Sequence, residues 1–224
     1  MRKARLFRLQ VGAVLVMALG AAACDSGTPS QSRQTNTNRG TSTTVSAHPS
    51  GLAELIASPP AGFTSEPTDA HSRAHTGAQT YAEAAPAFCN FALPNTGGRQ
   101  DWVASQLQYF DKNPTYLSVW LEVCVTQMRS QTYAKTNASR DAKVLGYWLG
   151  PPLSFSVPGV PSATGFLNNF TLWFWVTIIF SKGPYYTVIS AEGTTTEGNE
   201  RSEATAVKQI AINRAVAEYH RLPT

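Results

Sequence analysis

The run Phe170–Phe180, FTLWFWVTIIF, restricts the fold more than any other stretch of this chain. It contains no glycine, proline or charged residue. Leu172, Phe174, Val176 and Ile178 occupy one phase of a two-residue alternation, and Trp173, Trp175 and Ile179 occupy the other. A strand that is apolar on both faces has to be central and covered on both sides.

The flanking sequence supplies the rest of a sheet. Trp102–Phe110 and Tyr116–Thr126 flank the turn-forming Asp111-Lys112-Asn113-Pro114, which predicts a hairpin. In its second arm Leu117, Val119, Leu121, Val123 and Val125 alternate with Ser118, Trp120, Glu122, Cys124 and Thr126, so one face belongs in a core. Ser181-Lys182-Gly183-Pro184 turns the central strand into a third arm, Tyr185–Ala191.

Helical patterns lie around these strands. A short helix is expected over Leu52–Ala57, between Ser50 and Pro59-Pro60, and a weaker one over Gln79–Ala85. A third spans Arg129–Val144 and is ended by Gly150-Pro151-Pro152. In Glu200–Leu222 the stripe Ala204, Val207, Ala211, Ala215, Tyr219 and Leu222 recurs at helical spacing. Together these predict an α+β domain over residues 51–224, an antiparallel sheet built from hairpins with helices packed mainly on one face. A domain of that length buries about 70% of its unfolded surface.

What precedes residue 51 is of another kind. Arg2, Lys3, Arg5 and Arg8 stand before the apolar stretch LQVGAVLVMALGAAA, the charged and apolar regions of an export signal over residues 1–23. Ala21-Ala22-Ala23-Cys24 resembles the lipobox of bacterial lipoproteins, in which the cysteine is lipidated and the signal is cut before it. Ala21 stands where that motif usually has leucine. The same alanines satisfy the A-x-A rule of ordinary signal cleavage, which would release a soluble protein. Residues 24–50 are polar and rich in Ser and Thr, with no aromatic residue, a composition that cannot offset backbone ordering and reads as a disordered tether. About 26 such residues span some 25–30 Å on average. The cluster Thr35, Thr37, Thr41, Ser42, Thr43 and Thr44 resembles segments that actinobacterial lipoproteins glycosylate.

The leader also explains the charge. The chain carries 18 Lys+Arg against 14 Asp+Glu, but the four excess cations all precede Cys24, so the mature chain is neutral. Such a chain lacks the basic footprint of a nucleic-acid binder. Its three cysteines are Cys24, Cys89 and Cys124. If Cys24 carries lipid, Cys89 and Cys124 form an even pair, suited to a structural disulfide in an oxidising compartment. No C-x-x-C spacing suggests a redox pair.

Pro60-Ala61-Gly62-Phe63-Thr64, Val157-Pro158-Gly159-Val160-Pro161, the hairpin Trp173–Ser190 and the ending Tyr219-His220-Arg221-Leu222-Pro223 resemble a group of actinobacterial, mycobacterial-type envelope lipoproteins of unassigned function. These are broadly similar to the PsbP/Mog1-like class and to extracytoplasmic sensor domains of the same bacteria. The resemblance implies a compact α/β sandwich and brings no catalytic residues with it.

The residues themselves supply little enzymatic chemistry. There is no G-x-S-x-G nucleophile elbow and no glycine-rich phosphate loop before a helix. His71 and His75 stand at i and i+4, but the HExxH glutamate is missing and Arg73 adds a cation, so neither a metal site nor a cofactor is expected. Glu192 and Glu197 read as loop charges. Trp173, Trp175, Tyr185 and Tyr186 concentrate aromatic surface on one hairpin, either as core or as an apolar groove for a lipid or other hydrophobic ligand.

The expectation is therefore a lipid-anchored protein on the extracytoplasmic face of the cell membrane, a non-enzymatic domain that binds an envelope lipid, glycolipid or protein. The alternatives are an envelope enzyme assembled from His71, His75, His220 and loop carboxylates, or a structural or sensory accessory of a membrane complex. Labelling of expressing actinobacterial cells with a clickable palmitate analogue should mark the wild-type chain and leave Cys24→Ala dark. An unlabelled wild-type chain with its leader removed would contradict lipidation.

Overall fold

The computed structural model describes residues 51–66, 77–80, 101–112, 118–148, 153–170, 173–194 and 198–224. In chain order these form the single-turn helix α1 (Leu52–Leu55), short strands β1 (Thr64–Glu66) and β2 (Gly77–Gln79), the pair β3 (Trp102–Lys112) and β4 (Val119–Met128), and helix α2 (Gln131–Trp148). Strands β5 (Leu153–Ser156), β6 (Thr164–Phe170), β7 (Trp173–Lys182) and β8 (Tyr185–Thr194) follow, and helix α3 (Glu200–Arg221) ends the chain. The strands make one antiparallel sheet in the order β1-β3-β4-β8-β7-β6-β5, with β2 also paired along the outer edge of β3. The α+β antiparallel architecture expected from the sequence is the one that forms.

Alternation along the three central strands separates two faces. Val123 pairs with Ile189, and Ile189 with Ile178, so these residues point the same way. That face buries Val119, Leu121, Val125, Val176, Phe180 and Ala191 against Val207, Ala211 and Ala215 of α3 and against Leu52 and Ile56 around α1. At about 1.5–3 kcal/mol for each fully buried large aliphatic side chain, this is the main hydrophobic core. The opposite phase buries Met128, Phe166, Ile179, Tyr186 and Val188 against Ala134, Ala138, Ala142 and Leu145 of α2. Two of the described helices thus share one face and α2 lies on the other. Phe170–Phe180, read from sequence as one strand, is instead the end of β6 and most of β7, with Phe170 paired to Trp173. Gln79, assigned from sequence to a helix, ends strand β2, where it pairs with Ser105 of β3; residues 81–85 lie outside the described residues.

Two glycines around β5 and β6 have structural duties. Val157 and Val160 are buried, and between them Gly159, at φ 81°, faces Val216 of α3, where a Cβ would stand 3.4 Å from a valine methyl. Gly165 of β6 lies under the ring of Phe155, so close that a Cβ would stand 2.3 Å from it. The glycine lets the aromatic ring of edge strand β5 close over its neighbour.

An ion pair fastens the segment after α1 to α3. Arg214 and Glu218, one turn apart and with side chains 2% and 0% exposed, meet at 2.6 Å and reach across to Ala57 and Ser58. Arg214 donates to the carbonyls of Ser58 and Ala57, both at 2.7 Å, and the Glu218 carboxylate accepts the Ala57 N–H at 3.0 and 3.1 Å. The guanidinium also lies 4.4 Å from the ring centre of Phe110. Burial opposes both charges, raising the pKa of Glu218 and lowering that of Arg214, and each is the chief compensation for the other. Removing one partner leaves a buried charge alone, so Glu218→Ala should cost about 3–5 kcal/mol in urea unfolding. A loss below about 1 kcal/mol, typical of an exposed pair, would show that the clamp does not hold this segment.

Candidate functional site

The sheet face that carries α2 changes character along its strands. Near α2 it is apolar. Toward the other end, where Lys112, Val119, Phe170, Trp173 and Thr194 terminate their strands, the same phase presents aromatic and polar side chains. Register places Asp111, Trp120, Glu192, Trp175 and Asn168 side by side across β3, β4, β8, β7 and β6. The next row toward α2 is Tyr109, Glu122, Ser190, Thr177 and Phe166. Trp173 stands beyond the first row, opposite Thr194.

Trp173 and Trp175, two residues apart on one strand, share this face. Their ring centres lie 6.2 Å apart with planes inclined by 25°. Each indole leans onto β8: the Trp173 Nε1–H donates to Glu192 and the Trp175 Nε1–H to the hydroxyl of Ser190. A buried indole usually finds such a partner, and here the partner also fixes the ring plane. Both tryptophans, Trp120 and Glu192 remain partly exposed, whereas Asn168, Thr177 and Ser190 beneath them are buried. Asp111 at the end of the row has its pKa raised, first by burial and then by the negative charge of Glu66. The result is a shelf of indole surface set among carboxylates, an amide and hydroxyls. It offers ring faces for apolar C–H groups and carboxylate oxygens for hydroxyl donors, and among the described residues it holds no base–nucleophile pair.

The structure divides the four aromatic residues singled out from the sequence. Trp173 and Trp175 stay together. Tyr185 and Tyr186 do not join them, because β7 and β8 are ten-residue antiparallel arms and Lys182 pairs with Tyr185 at the far end, about 30 Å away at the usual rise per residue. Being adjacent in a strand, the two tyrosines also point to opposite faces, Tyr185 into the α3 core and Tyr186 under α2. Sequence reasoning passed over Trp120, Glu122, Asp111 and Asn168. The alternation of β4 already set Trp120 and Glu122 apart from the core, but which residues they stand beside is a matter of strand register.

Of the remaining candidates, Cys124 sits at the centre of β4, 1% exposed, and is disulfide-bonded; Cys89 and Cys24 lie outside the described residues. His71, His75 and Glu197 lie outside them too. His220 is exposed near the end of α3 and meets Tyr219 edge-on at 6.2 Å. Among the described residues no group of three His, Cys, Asp or Glu could hold a metal ion.

The chain matches no protein-family profile and no curated protein. Among solved structures it is similar to the extracellular domain of PknH from Mycobacterium tuberculosis, at 10% identity and a TM-score of 0.45, over 75% of this chain and 97% of that one. A likeness at that level carries no function from one chain to the other.

Proposed function

We propose that this protein is a non-enzymatic, extracytoplasmic binding domain whose ligand is the sugar portion of an envelope glycan or glycolipid, held at the shelf of Trp173, Trp175 and Trp120. The observation that carries this reading is the pair of tryptophans fixed by Glu192 and Ser190. Free apolar contact needs no carboxylate beside it. A hydroxyl-rich ligand uses both, laying its C–H faces on indole and donating to oxygen. An acidic shelf also disfavours an anionic lipid headgroup by like charge.

The rest of the chain suits that role in the proposal. The leader exports the domain, a lipidated Cys24 anchors it, and residues 24–50 tether it within some 25–30 Å of the membrane. Two acyl chains at one cysteine would give stable anchoring where one would not. Among the described residues no helix is long and apolar enough to cross a membrane. A bridge from Cys124 to Cys89 closes a loop worth roughly 3–4 kcal/mol in the chain-entropy model, and residues 51–224 act as one domain.

Titration of the full-length protein with a panel of pentose and hexose oligosaccharides, followed by tryptophan fluorescence, tests the reading. At least one oligosaccharide should bind, and Trp173→Ala and Trp175→Ala should each weaken it about tenfold or more, the 1–2 kcal/mol scale of a stacked aromatic contact. Saccharide affinity unchanged by both substitutions, or no binding to any member, would overturn it.

A further inference from the structure

The row Asp111, Trp120, Glu192, Trp175, Asn168 alternates carboxylate and indole before it ends in an amide. Trp120 is the point at which the charges converge. Asp111 and Glu192 flank it on the neighbouring strands, one on each side. Glu122 follows it on β4 in the same phase, on the diagonal to both and about 7–8 Å from each. Glu66 of β1, opposite Tyr109, adds a fourth carboxylate to this face. None of the four is fully solvated, each being half-buried. The two lysines of the described strands belong to the other face, since Lys112 pairs with Val119 and Lys182 with Tyr185, both in the α3 core. The crowding of like charge shows in Asp111, whose pKa is raised by burial and by Glu66.

Two polar atoms of the row are buried without a hydrogen-bond partner, one at each end. At the Trp120 end it is Oδ1 of Asp111, an acceptor that suits a donor, and best a charged one. At the Trp175 end it is Nδ2 of Asn168, a residue 4% exposed, and this donor suits an oxygen. Four strand spacings, about 19 Å, separate the two ends. One occupant that serves both is therefore an oligosaccharide and not a single sugar. An indole among carboxylates is also the setting that draws an ammonium group, whose charge meets the ring face and whose N–H groups meet the oxygens. A neutral sugar would use the indoles and leave the concentration of negative charge without a counterpart.

We propose that the saccharide held by the shelf carries a protonated amine, seated at Trp120 among Asp111, Glu122 and Glu192, with a sugar oxygen at Asn168 beyond Trp175. The proposal rests on the saccharide reading of the shelf and adds the charge of its ligand.

The test is titration of the full-length protein, followed by tryptophan fluorescence in mildly acidic buffer, with three tetrasaccharides of one backbone and linkage. Chitosan tetrasaccharide, its N-acetylated form and cellotetraose carry an ammonium, an acetamide and a hydroxyl at the same carbon. The ammonium form should bind at least about tenfold more tightly than either of the others. Asp111→Asn and Glu192→Gln, the second of which keeps an oxygen for the Trp173 N–H, should each reduce that preference about threefold or more. Added salt should weaken the ammonium form and leave cellotetraose unchanged. Equal affinities, tighter binding of the acetamide or hydroxyl form, a preference insensitive to both substitutions, or one insensitive to salt would each overturn the proposal and leave the saccharide shelf standing. Binding of none of the three would overturn it too, and the saccharide reading falls with it only if the wider oligosaccharide panel also fails.

Discussion

The structure depends on the pleat of three strands, β4, β8 and β7. Their register brings Val123, Ile189 and Ile178 into one line, and a slip of one residue in any of them would exchange the two faces of that strand. The face toward α3 is mostly apolar, with Thr187 and Gln127 buried in it, and takes the longest of the described helices. The other is apolar over half its length and aromatic and polar over the rest, and only its apolar half is covered by α2. One sheet thereby supplies a core on one side and, on the other, a surface with two chemistries four residues apart along β7, at Trp175 and at Ile179.

Much of this was legible in the residues. The alternation in β4 and the Ala204–Ala215 stripe of α3 follow from period alone and lie where that period puts them; β7 is expected to be covered on both faces, but Trp173 and Trp175 on one of them stay partly exposed. The division of Phe170–Phe180 was not legible, because the run has no glycine, proline or charge to mark where one strand ends and another begins. Strand β5 was missed because a four-residue edge strand, exposed at Leu153, shows little periodicity. The shelf was half legible. Trp173 and Trp175 share a phase in the sequence, but their union with Trp120, Glu192 and Asn168 is a product of register across strands distant in the chain, and Tyr185 and Tyr186 were grouped with them only by proximity in sequence.

The clamp of Arg214 and Glu218 shows the same boundary. On α3 the pair reads as an ordinary surface i, i+4 ion pair. In the fold it is buried and spends its hydrogen bonds on backbone more than 150 residues away. Ala57 and Ser58 lie just past the end of α1, where their backbone groups have no helical partner, and they bond to the pair instead. The pair therefore ties the start of the domain to its end.

The central claim is that the sheet face bearing Trp120, Trp173 and Trp175 is the one that meets ligand, and the α3 face is core alone. Indole N–H and methyl resonances of the labelled protein, followed during addition of an oligosaccharide that binds, test it most directly. The account predicts shifts confined to the indoles of Trp120, Trp173 and Trp175 and their neighbours, with the methyls of Val123, Ile178 and Ile189 unmoved. Shifts centred on the α3 face, with those three indoles unchanged, would contradict it.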